Sequence, residues 1–154
     1  MNKLFHHSIC FSIFVFLTSF TNGQTKDSIN WMSLLQSSNF IEINSPKRIE
    51  PNILKKFPDW EKMSKPRGRF NPSDAGQGPR LRLFFAAHSD NHWVISYERG
   101  GKGYSTSCFL ITIVDENSLS IQKSSMKFQS LADLRELFKI DDQELFKQWE
   151  GYDD

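Results

Sequence analysis

The sequence predicts an α+β fold: an antiparallel β-meander of four to five strands packed against an N-terminal helix and short C-terminal helices. Three observations carry this reading. The stretch Leu81–Val114 contains three apolar runs divided by two compact polar turns. Runs rich in β-branched and aromatic residues, bounded by Gly, Asn and Asp, read as strands joined by hairpins. Ile29, Met32, Leu34 and Leu35 fall near helical spacing, and so do Leu131, Leu134, Leu137 and Phe138 close to the C-terminus. An apolar sheet face and apolar helical stripes bury one another, which implies two layers.

The first 23 residues are set apart from the fold. Lys3 precedes the apolar run Ile9–Phe20, and Thr21-Asn22-Gly23 supplies small residues after it. That is the pattern of a secretory signal peptide cleaved after Gly23, so the protein is expected to be secreted or periplasmic. The apolar run is shorter than the roughly 20 residues of a membrane helix, so no stable span is expected after cleavage. A retained N-terminal anchor is the alternative. Residues 24–154 then form a single α+β domain, large enough to bury roughly two-thirds of its unfolded surface.

The elements follow in order. Asp27–Ser38 is an amphipathic helix with Asp27 or Ser28 as N-cap. Phe40–Ile43 alternates as an edge strand, and Asn44-Ser45-Pro46 ends it. Pro51 opens a helical turn carrying Ile53, Leu54 and Phe57, which Pro58 closes, and Asp59–Met63 adds a further turn. Residues 64–80, with three prolines, three glycines and four basic residues, form a long loop of the kind that is commonly functional.

The meander comprises Leu81–His88, His92–Glu98, Tyr104–Val114 and Leu119–Phe128. A three-residue loop Ser89-Asp90-Asn91, with Asn91 left-handed, sets His88 opposite His92 and Arg82 opposite Glu98. One face is then apolar, with Leu81, Leu83, Phe85, Trp93, Ile95 and Tyr97. The other carries Arg82, His88, His92, Ser96 and Glu98. A two-residue Asp90-Asn91 loop would instead set Arg82 against Arg99. A five-residue turn from Arg99 to Gly103 pairs Trp93 with Phe109 and Val94 with Cys108, adding Tyr104, Thr106 and Cys108 to the polar face. Apolar parity changes within the fourth strand, which implies a bulge near Ser124-Ser125. Ser130 caps a C-terminal helix, and Asp141 with Glu144 starts a second one reaching Trp149.

Charge narrows the function classes. Without the leader the chain carries 18 basic and 18 acidic residues, which argues against a dedicated nucleic-acid binder. Residues 47–102 hold 12 basic and 6 acidic residues, whereas 103–154 hold 5 and 10. Either the two halves neutralise one another, or a basic patch near Lys62-Lys65-Arg67-Arg69 meets an anionic partner. Removing Cys10 with the leader leaves Cys108 alone, so neither a disulfide framework nor a cysteine-based zinc site is available.

Chemistry, where present, is expected on the polar sheet face. His88, Asp90 and His92 could hold a metal, although they supply fewer ligands than a closed zinc site. His92 could activate Cys108 as a nucleophile, with Glu98 or Asp90 orienting the imidazole. RGGKG lacks the spacing and strand-to-helix setting of a phosphate loop, and the sequence contains no GxSxG or HExxH motif. The leading expectation is a small exported, non-enzymatic binding or accessory protein, inhibitor-like in character, with no cofactor. It would meet a protein or small ligand through Arg82, His88, His92, Ser96, Arg99, Lys102 and Tyr104. The alternative is a small hydrolase-type or metal-dependent enzyme using His88, His92 and Cys108 or Glu98.

Overall fold

The computed structural model of the chain describes residues 29–140 and 145–150. The expected leader, the suggested caps Asp27 and Ser28, and the expected second helix start at Asp141 and Glu144 lie outside the described residues. Six antiparallel strands run in sequence order across one sheet: β1 (Ile41–Ile43), β2 (Leu81–Ser89), β3 (His92–Arg99), β4 (Ser105–Ile113), β5 (Leu119–Ser124) and β6 (Lys147–Gln148). The fold is thus α+β around an antiparallel meander, with one strand more than expected.

Both faces of the sheet are covered, giving three layers instead of two. On one face, Leu83, Ala86, Trp93, Ile95, Tyr97, Phe109 and Ile111 pack against Ile49, Ile53, Phe57, Trp60 and Met63. Those covering residues lie in or directly after a 3-10 turn at Pro46–Arg48, helix α2 (Pro51–Lys56) and a 3-10 turn at Pro58–Lys62. On the other face, Phe85, Ala87, Val94, Cys108 and Leu110 meet helix α1 (Trp31–Ser37) through Trp31 and Leu35. Helix α3 (Leu131–Phe138) covers the same face with Leu131, Leu134 and Phe138. Consecutive residues such as Phe85-Ala86-Ala87 are all buried, the signature of strands enclosed on both sides. Leu35 and Leu134 are wholly excluded from water, each contributing roughly 2 kcal/mol.

The helices begin where local chemistry allows. Asn30 caps α1 by accepting a hydrogen bond from the Ser33 amide at 3.0 Å. Ser130 and Asp133 form a reciprocal capping box at α3. Arg135 of α3 donates to the carbonyls of Leu35 and Ser38 at 2.8 and 3.3 Å, tying α3 to the end of α1.

The first hairpin differs from the expected register. Ser89 faces His92, so Asp90 and Asn91 alone make the turn. Asp90, not Asn91, takes the left-handed conformation at φ 49. Asn91 is held in place by the β3–β4 ladder, donating from its side chain to the Ile113 carbonyl and accepting the Ile113 amide, both at 2.9 Å. His88 therefore faces Trp93, not His92. A bulge between Leu83 and Phe85 then absorbs one residue and restores Arg82 opposite Glu98.

The second hairpin keeps the expected parity but slides by two residues. Trp93 faces Ile111, Ser96 faces Cys108 and Glu98 faces Thr106. Strand β5 ends at Ser124 without a bulge. Its parity change arises because the chain leaves the sheet there, and Phe128 returns to the α1/α3 side. Lys147 and Gln148 pair with β5 as a strand where a helix was expected, and the Trp149 amide donates to the Ile121 carbonyl at 2.9 Å.

Candidate functional site

The sequence singled out His88, Asp90 and His92 as metal candidates, and the register separates the two histidines. His88 stacks on Trp93 with ring centroids 4.7 Å apart, on the α2 side of the sheet. His92 lies on the opposite face, edge-on to Trp31 at 5.6 Å, with its Nδ1 3.0 Å from the Thr112 hydroxyl. Burial lowers the His92 pKa, partly opposed by the Asp90 carboxylate. Among the described residues no group of three or more His, Cys, Asp or Glu side chains is placed to hold a metal ion.

The catalytic candidates are likewise apart. Cys108 faces Ser96, while His92 faces Thr112 four residues along the same strand, roughly 13 Å away at strand rise. Cys108 is fully buried, and desolvation pushes its thiol well above the ordinary range, the reverse of what an attacking thiolate needs. Ser96 is also fully buried, and its hydroxyl donates to the Phe128 carbonyl at 2.7 Å. Ser96 therefore contributes to closing the fold and cannot face a ligand. Over this stretch the polar sheet face is an interior seam beneath α1 and α3.

Where that face emerges at the end of the sheet, it forms a coupled cluster. Arg82 Nε donates to Glu98 Oε1 at 2.5 Å, and the Tyr104 hydroxyl donates to Glu98 Oε2 at 2.8 Å. Glu98 is only 3% exposed, so both carboxylate oxygens are satisfied as a buried charge requires. Desolvation and the bond to Glu98 raise the Tyr104 pKa. Arg82 also lies over the Phe70 ring at 4.8 Å and donates to the Gly68 carbonyl at 3.3 Å, so the long loop is anchored on it.

The glycine hairpin grips the same loop. The Gly100 amide donates to the Arg80 carbonyl at 2.8 Å. A Cβ on Gly100 would meet the Asn71 carbonyl oxygen at 2.1 Å, so only glycine permits this approach. Gly101 alone in this turn has positive φ, 131. Gly100 is therefore required for the space it leaves and not for a positive φ.

Between these loops lies a cleft of about 770 Å³. Arg99 and Lys102, both expected as binding residues, are joined there by Lys62 and Arg80, with Asp59 and Asp74 as the only acids. Arg99 reaches Asp59 at 3.9 Å, and Arg80 donates to the Asp74 carbonyl at 3.0 Å. The sequence had pointed to a basic patch near Lys62-Lys65-Arg67-Arg69, of which this cleft holds only Lys62. The roles of Asp59, Asp74 and Arg80 emerge only from the loop contacts. Four cations against two carboxylates, in a cleft with a fixed rim, can attract and orient an anionic group.

The fold and site define a small α+β sheet protein with a basic, loop-built end. Comparisons found no family model, no curated protein and no solved structure that matches the chain.

Proposed function

We propose that the chain is an exported, non-enzymatic binding protein whose basic loop end docks on an acidic surface of another protein. The observation that carries this reading is the cleft in which Lys62, Arg80, Arg99 and Lys102 outnumber Asp59 and Asp74. Export rests on the leader-like residues 1–23. Support for binding comes also from preorganisation: contact between Gly100 and Asn71 holds the two basic loops together, so little ordering is required when a partner arrives.

The test is fluorescence anisotropy with a labelled polyglutamate peptide, at low salt and at physiological ionic strength. The parent protein should bind, and Lys62→Ala with Lys102→Ala should weaken binding at least fivefold while leaving the melting temperature unchanged. No binding, or equal binding by the double variant, would overturn the proposal.

A further inference from the structure

A second groove, of about 800 Å³, is lined by Arg82 and lies between the end of β1, the turn Lys65–Gly68 and the segment Lys127–Ser130. Four cations line it: Lys65, Arg67, Arg82 and Lys127. Arg82 is neutralised by Glu98. The other three form no ion pair among the described residues, and Glu42 is the only acid in the lining. Three uncompensated cations less one carboxylate leave a local charge of +2.

Arg67 is the unusual member. The Gly68 amide donates to the Lys65 carbonyl at 2.9 Å, closing a turn with Pro66 second and Arg67 third. Arg67 has φ 59, the left-handed value that this turn position normally gives to Gly or Asn. A long side chain there carries backbone strain. Its guanidinium makes no hydrogen bond, ion pair or ring contact among the described residues, so the fold gains nothing from arginine in particular. The turn itself is held rigidly, because Arg82 donates to the Gly68 carbonyl from a position locked by Glu98. Opposite, Lys127 sits over the Phe84 ring at 5.1 Å, on the residue bulged out of β2.

We infer that this groove is a site for a phosphate dianion, free or carried as a monoester, with Arg67 and Lys65 on the turn and Lys127 across from them as the anion's partners. A charge of +2 matches a phosphate dianion, and guanidinium presents the paired donors that phosphate oxygens accept. The site is independent of the cleft at Lys62 and Lys102.

Calorimetric titration with inorganic phosphate, and separately with a short phosphoserine peptide, tests it at constant ionic strength against chloride. Phosphate should bind, and more tightly as pH rises through about 6 to 7 and the dianion forms. Arg67→Asn should fold with unchanged or higher melting temperature yet bind at least tenfold more weakly, and Lys127→Ala should also weaken binding. Tighter binding of the peptide would identify a phosphorylated protein as the source, and equal binding a free phosphate. Phosphate behaving like chloride, or Arg67→Asn binding as the parent does, would overturn the site.

Discussion

Arg82 and Glu98 face each other across the first hairpin although the two-residue turn alone would place Arg82 opposite Arg99. The bulge at Phe84 supplies the missing residue, and with it an ion pair replaces a like-charge pair. Glu98 is the more buried partner, with a side chain 4% exposed against 31% for Arg82. Removing Arg82 therefore strands the more costly charge. Arg82→Ala should destabilise by about 3 kcal/mol and Glu98→Gln by less, about 1–2 kcal/mol. Urea denaturation measures both, and the reverse order would contradict the account.

Acid should weaken the fold through His92. Its folded pKa lies below the ordinary 6.5 because of burial. The unfolded chain thus binds a proton that the folded chain does not, so this stability is fully present above pH 6.5 and is lost as pH falls through the lower folded value. The denaturation midpoint should fall between pH 7 and 5, and His92→Gln should flatten that slope. An unchanged slope in the variant would place the acid sensitivity elsewhere.

Gly100 and Gly103 should respond differently to the same substitution. Gly100→Ala forces its methyl into Asn71 and Pro72, whereas a Cβ at Gly103 meets nothing within 4 Å. The first should cost about 2 kcal/mol and the second no more than about 0.5 kcal/mol. Thermal melting of the pair settles it, and similar melting temperatures would count against the clasp between loop and hairpin.

Cys108 should be chemically silent while the protein is folded. Its thiol is fully buried with its pKa raised, so alkylation followed on the Cys108 peptide by mass spectrometry should require unfolding. Rapid labelling under native conditions would show that the α1/α3 side opens readily.

The sheet was legible because apolar and polar residues are punctuated by Ser89–Asn91 and Arg99–Tyr104 at strand spacing. What escaped was register. Period-2 patterning determines parity only, so the second hairpin could slide by two residues with every face preserved. In the first hairpin Phe84 and Phe85 are both apolar, and nothing in Leu-Phe-Phe-Ala-Ala marks which residue bulges. That ambiguity also hid the second covered face, and with it the burial of Ser96 and Cys108. The two-residue β6 is too short to leave a periodic trace. Of the candidate site, the basic bias of residues 47–102 was visible, whereas the division of its cations between two grooves depends on loop contacts such as Arg82 with Gly68. The strain at Arg67 was invisible, since Pro66 suggests a turn but an arginine gives no sign of positive φ.

The strands shorten toward the margins of the sheet: β2, β3 and β4 have nine, eight and nine residues, but β1 has three and β6 two. Unpaired backbone at a sheet margin is a template for stacking against other copies. Here each margin offers only a few residues, with charged Glu42 on one and Lys147 on the other. The taper thus leaves little open backbone at either margin of an aromatic-rich sheet for another copy to pair with.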